Sequence, residues 1–141
     1  EFRRVLFRSL HMDLTNYEAA AAALGTALAL SEELSLACYR IDLLNLRGQL
    51  QLRRSNPQAA ERDARDALAL AMASECGYQW GEADSLHLLA VTLLSNRPRV
   101  QSLRHNEAIT HLSDELELRD RMQDPTAPEV RWLIRRLRTV A

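Results

Sequence analysis

Residues 16–30 read NYEAAAAALGTALAL and residues 56–70 read NPQAAERDARDALAL, so one stretch of sequence returns forty positions later. Seven of the fifteen aligned pairs are identical, and the shared positions carry asparagine, alanine and leucine. Small and apolar side chains that repeat at such a period are typical of stacked helical hairpins, in which each unit buries its apolar face against the next. The repeat therefore predicts an all-α chain of about six helices, arranged as antiparallel hairpins in an α-solenoid.

Start and stop signals divide the chain into these helices. Asn56 followed by Pro57 indicates a start, because asparagine accepts from the free N–H groups of the first turn and proline there loses no needed donor. Gly77 indicates a stop, because glycine readily takes the left-handed conformation that ends a helix. The polar segment 96–106 is either a long loop or an extension of the next helix. We expect helices over about 14–33, 36–53, 57–74, 78–94, part of 100–122, and 128–139.

The segment from Arg40 to Arg54 has two polar lines separating two apolar faces at about 100° per residue. The faces consist of Leu43, Leu46 and Leu50, and of Ile41, Leu44, Gly48 and Leu52. A helix needs two apolar faces when it lies between its own partner and the next repeat. Gly48 costs about 1 kcal/mol relative to alanine in mid-helix, so we expect a neighbouring backbone to approach it closely.

Gly48, Ala60 and Ala67 have the spacing of the small-residue positions in tetratricopeptide repeats, and residues 14–137 resemble the longer-period variety of that family. Arg47 departs from the pattern, because the family usually has a large apolar residue there. The stretch GYQWGEADSLHLL at residues 77–89 resembles repeats at the C-terminal side of large bacterial signalling ATPases and related transcriptional regulators. Because the pattern starts and ends within a unit, we interpret residues 10–141 as a fragment of a longer array.

The resemblance implies a groove lined by the first helix of each repeat, where a protein, a peptide or another domain of the same chain binds. We expect one polar line of the segment 40–54 to stay open to solvent and to contact the partner. The implied groove residues are Asp42, Asn45, Gln49 and Arg53 from one repeat and Asp84, His87, Val91 and Ser95 from the next. The expected function is protein–protein interaction or intramolecular regulation without catalysis. The alternative is a structural spacer of a larger ATPase or transcriptional regulator.

Several functional classes receive little support from the residues. The sequence has none of the nucleophile-elbow, P-loop or dinucleotide motifs, so we expect no catalytic residue, no cofactor and no small-molecule substrate. His111 and Glu115 are four residues apart, a spacing that can hold a metal, but a solvated helix face is the favoured interpretation and no metal is expected. Cys38 and Cys76 lack metal-ligand spacing and are expected to be reduced.

The formal net charge is −1, so bulk electrostatics favours neither a nucleic acid nor a membrane as partner. Weak nucleic-acid contact through Arg131, Arg135, Arg136 and Arg138 remains an alternative. We expect a cytoplasmic location, because no apolar run is long enough for a membrane span or a signal peptide. Residues 1–9 are interpreted as a non-native leader, since Val5 to Ser9 resemble a translated sequencing adapter.

Overall fold

A computed structural model of the chain describes residues 16–73, 75, 77–95 and 101–140. This part of the chain contains helices and connecting turns but no strand, which confirms the predicted all-α class. The interpreted leader at residues 1–9 and Cys76 lie outside the described residues, while Cys38 is partly buried near the start of the second helix. The helices are α1 Tyr17–Glu33, α2 Ala37–Arg53, α3 Pro57–Ala73, α4 Gln79–Ser95, α5 Gln101–Arg121 and α6 Ala127–Thr139.

The helices begin where the sequence predicts. The side chains of Asn16 and Asn56 each accept a 3.3 Å hydrogen bond from a backbone N–H three residues on, so both asparagines cap the following helix. Pro57 is the first residue of α3, as predicted, and Gly77 has the left-handed φ of 58°. The segment 96–106 is partly helical, because α5 already starts at Gln101 and runs for 21 residues.

Three helices end in the same way, with a residue other than glycine in the left-handed conformation. Ser35, Ser55 and Gln123 have φ values of 55°, 59° and 55°. In each case the next backbone N–H donates to a carbonyl five residues back, at 2.8 to 2.9 Å, which is the Schellman closure of a helix C-terminus. The chain is thereby turned back on itself after α1, α2 and α5.

Consecutive helices pack against one another through all six elements, and α2 also packs against α4, the next helix but one. This stacking gives the chain its solenoid-like architecture. One apolar core joins α1, α2 and α3, and a second joins α3 to α6. Among the described helices, none is long and apolar enough to cross a lipid bilayer.

Gly48 is closely approached, as expected, but the nearest neighbour is a side chain and not the expected backbone. A Cβ atom on this residue would lie 2.5 Å from Leu88 Cδ2 on α4 and 3.4 Å from the Ala60 carbonyl oxygen on α3. Ala60 itself is completely buried. The missing side chain therefore allows α2 to fit between its partner α3 and the equivalent helix α4, as the two apolar faces predict.

Arg47, which departs from the tetratricopeptide pattern, faces α3. Its Nε and Nη2 atoms donate to the two carboxylate oxygens of Asp63 at 3.0 and 2.7 Å. Asp63 is only 5% exposed. These hydrogen bonds raise the pKa of Arg47 above its usual value despite partial burial. A bidentate ion pair thus joins α2 to α3 at the place where the family has apolar packing.

Candidate functional site

A buried arginine on α5 organises the centre of the site. The side chain of Arg119 is 9% exposed and contacts three carboxylates. Its Nε donates to Glu115, one turn earlier on the same helix, and its Nη1 donates to Asp124 at 2.6 Å. Its Nη2 donates to Asp84 of α4 at 3.0 Å. One guanidinium therefore ties together α4, α5 and the turn that leads to α6.

Local structure places each of these carboxylates. Glu115 and Arg119 are four residues apart, so they lie on one face of α5. Asp124 follows the left-handed residue Gln123, and its Oδ1 accepts from the backbone N–H and the hydroxyl of Thr126 at 2.9 and 2.8 Å. These bonds form a compact turn that fixes Asp124 beside the first residues of α6.

The buried charges at this centre are compensated. Burial by itself raises the pKa of Asp124, but the hydrogen bonds from Thr126 and Arg119 outweigh it and hold this pKa below its ordinary value. Burial lowers the pKa of Arg119, whereas its bonds to Glu115 and Asp124 raise it to above the usual value. Both groups are therefore charged at neutral pH.

His87 extends the network to the surface. Its Nδ1 lies 2.9 Å from Oε2 of Glu115, a side chain with no exposed surface. A hydrogen on Nδ1 fits this contact, because Glu115 accepts from Arg119 through its other oxygen. The imidazole itself is 43% exposed, so His87 connects the buried ion network to solvent.

A cavity of about 840 Å³ opens between α4 and α6 above this network. Its floor contains the ion network, and its walls carry two tryptophans and several aliphatic side chains. The lining residues are Trp80, Asp84, His87, Glu115, Arg119, Asp124, Thr126, Pro128, Glu129, Val130, Trp132 and Leu133.

A second cavity of about 410 Å³ lies between α2 and α4. It shares Asp84, His87 and Arg119 with the first cavity, so the two cavities are neighbours at these residues. Its other lining residues are Gln49, Leu52, Leu88 and Val91. We call the surface that contains both neighbouring cavities, on α2, α4 and α6, the α2–α4–α6 groove.

Four of the eight residues predicted for the groove line it. Gln49 lies at the α2 side, and Asp84, His87 and Val91 lie on α4. The residues that the family resemblance implied are thus in part close together in space. Their role in binding a partner stays a prediction.

The remaining four do not line either cavity. Asp42 accepts from the Tyr78 hydroxyl at 2.8 to 2.9 Å, and the Ser95 hydroxyl donates to the Val91 carbonyl at 2.8 Å. Arg53 is exposed near the end of α2.

The prediction that the polar line of α2 stays open to solvent is wrong at Asn45, which is 4% exposed. Its amide nitrogen donates to Ser85 Oγ at 3.0 Å and to the Gly81 carbonyl at 3.4 Å. The physical reason is that α2 packs against α4 as well as α3. Asn45 therefore joins equivalent helices of consecutive repeats and is not accessible to a ligand.

Sequence reasoning missed several groove residues. Trp80 on α4 and Trp132 on α6 are 38% and 59% exposed, and both line the larger cavity. The sequence contains no signal for them, because the exposure of an indole ring is visible only in the fold. It likewise contains no signal for Arg119 and Asp124, because each lies in an ordinary polar stretch. Only the fold brings the two side chains together.

Two minor candidates can also be located. His111 Nε2 lies 3.4 Å from Glu107, whereas Glu115 faces His87 and Arg119, so His111 and Glu115 do not act as a pair. In the described ranges no group of three or more potential ligand side chains is placed to hold a metal ion. Of the C-terminal arginines, Arg131 bonds both oxygens of Asp120 at 3.0 Å.

Comparison with protein families, with curated proteins and with solved structures finds no match. The class of protein is therefore inferred from the fold and the groove alone. The chain is an all-α protein whose six described helices stack in a solenoid-like array, compatible with a helical repeat.

Proposed function

We propose that the chain is a tetratricopeptide-like module that binds a protein or peptide segment in the α2–α4–α6 groove, with no catalysis of its own. The observation that carries this proposal is that the two cavities lie side by side on alternate helices and share three lining residues. In a stacked array of hairpins, alternate helices form one surface that is extended along the stack and suits an elongated ligand. The segment bound there belongs either to another protein or to another domain of the same chain.

The exposed tryptophan on α6 supports the proposal. Trp132 lines the larger cavity and is 59% exposed. It is energetically unfavourable to leave this apolar surface of the indole ring in water. Tryptophan is also the residue type most enriched among those that dominate the energy of protein interfaces. A ligand in the cavity would remove this indole ring from water.

The test is to map where a partner contacts the chain. A partner captured from the source organism is added to the pure protein, and backbone hydrogen exchange is followed helix by helix. We expect slower exchange in α4 and α6, and weaker binding by about 2 kcal/mol or more for Trp132→Ala.

Met72→Ala is the matched control, because Met72 is 71% exposed on α3 and lies away from both cavities. Binding by this variant should equal that of the parent. Protection confined to α1 and α3, with Trp132→Ala binding as tightly as the parent, would refute the groove as the binding surface and favour a structural spacer.

A further inference from the structure

The charges that line the larger cavity are mostly negative. Among the described lining residues, Asp84, Glu115, Asp124 and Glu129 contribute four carboxylates, against one guanidinium, that of Arg119. Arg119 already donates to three of these carboxylates, so its charge is compensated within the network. An anionic ligand would meet the excess carboxylates, whereas a cationic ligand would be attracted by them.

Glu129 is the carboxylate that an incoming cation would meet first. It lies in the first turn of α6, is exposed, and forms no ion pair with any described residue. Trp132 follows three residues later, so the carboxylate and the indole ring share one face of α6. A carboxylate beside an exposed indole is a suitable pair of groups for a guanidinium, which hydrogen-bonds to the first and stacks on the second.

The ring of Trp132 already makes one such contact, because the Cζ atom of Arg136, one turn along α6, lies 5.3 Å from the ring centroid. A guanidinium of the ligand would therefore stack on the ring face that Arg136 does not cover. Arg119 shows that carboxylates of this site hold a guanidinium by directed hydrogen bonds at 2.6 to 3.0 Å. The weakly hydrated, planar guanidinium forms both contacts better than the compact ammonium of lysine does.

We infer that the larger cavity receives an arginine side chain of the bound segment, with apolar residues on either side of it. This inference rests on the proposed function and specifies its ligand. The guanidinium lies between Trp132 and Glu129, and the apolar neighbours pack on Val130 and Leu133, which also line the cavity. The rest of the segment continues across His87 toward Gln49 and Val91 in the smaller cavity.

Random twelve-residue peptides displayed on phage provide the probe. They are selected on the whole protein, and those that also bind Trp132→Ala are discarded. We expect the surviving sequences to share an arginine flanked by apolar residues. The best peptide is then synthesised twice, with arginine and with citrulline, which has nearly the same shape but no charge.

Titration is followed by intrinsic fluorescence, because the only two tryptophans of the sequence, Trp80 and Trp132, both line this cavity. We expect binding to weaken about tenfold or more with citrulline, and about three- to tenfold with Glu129→Gln. Met72→Ala should bind as the parent does. Circular dichroism establishes that each variant is folded.

Different failures have different meanings. If the peptides that depend on Trp132 are acidic or neutral, or if citrulline binds as well as arginine, the arginine inference is wrong and groove binding stands. If no peptide depends on Trp132, the inference is also wrong, and the partner footprint described above decides the function separately. If Trp132→Ala instead abolishes self-association of the chain, a second copy is the occupant and the inferred arginine peptide is refuted.

Discussion

Replacing Arg119 with methionine should destabilise the fold strongly. The substitution keeps an apolar stem of similar length but leaves Glu115, with no exposed surface, and Asp124, 6% exposed, without their cation. Asp84 is less buried and can be hydrated, and Asp124 retains its bonds from Thr126. Among its contacts with described residues, Glu115 retains only that with His87, and it is the most buried of the three, so it accounts for most of the loss. Removing one partner from a buried ion pair costs about 3 to 5 kcal/mol, and urea unfolding followed by helical circular dichroism measures it.

A pH series tests the electrostatic origin of the loss. The pKa of Asp124 in the folded parent lies below its ordinary value, so its contribution is present above the unfolded pKa of about 3.9 and is lost as pH falls below it. Methionine at position 119 removes one cause of that depression. The part of the parent–variant difference in unfolding free energy that comes from Asp124 should therefore be complete above about pH 5 and become smaller below about pH 4.

Two further variants separate this explanation from a general packing defect. Glu115→Leu combined with Arg119→Met replaces the pair by apolar groups and should recover about half or more of the loss. Arg65→Ala removes bonds to Glu61 and Glu107 from an arginine that is 47% exposed, and should cost only about 0 to 1 kcal/mol. A cost for Arg119→Met no larger than for Arg65→Ala, at all pH values, would refute the buried network as a stabilising element.

Three other substitutions test the scaffold by urea unfolding. Gly48→Leu should lower the unfolding free energy by about 1 to 3 kcal/mol, because even its Cβ would overlap Leu88. An unchanged urea midpoint would show that Gly48 does not lie in the helix contact. Ser55→Gly should stabilise by about 0.5 to 1 kcal/mol, because glycine takes the left-handed φ of 59° without steric cost; a loss of stability would contradict the Schellman closure. Asn45→Ala should lower the unfolding free energy by about 1 to 2 kcal/mol, because it removes buried hydrogen bonds. Arg53→Ala, at an exposed position, should change it by no more than about 0.5 kcal/mol. Equal effects of the two substitutions would show that Asn45 is not buried.

Local rules in the sequence were sufficient to predict the helices. Capping by Asn56 and the left-handed Gly77 each depend on a few neighbouring residues, and the structure confirms both. The two apolar faces of α2 follow from the helix period. These features are local, or repeat with the helix period, and so can be read without the tertiary structure.

The ion network required information that no single segment contains. Its members lie at positions 84, 115, 119 and 124, on two helices and a turn, and their pairing depends on how α4, α5 and α6 are stacked. Asn45 shows the opposite error, because a polar residue on a helical wheel was taken as exposed although α4 covers it. A helical wheel assigns a direction to a side chain but cannot say which neighbour lies in that direction.

The ion network also links the stability of the array to the shape of its groove. Arg119 donates hydrogen bonds to Asp84 on α4 and to Asp124 in the turn before α6. Helices α4 and α6 contribute most of the residues that line the larger cavity. Hydrogen bonds with fixed directions hold such elements at a defined separation, whereas apolar contacts alone tolerate sliding. The same buried charges therefore hold α4 and the start of α6 at a defined separation beside the cavity. Under the proposed function, a ligand of the larger cavity would meet a preorganised site, and preorganisation lowers the entropic cost of binding.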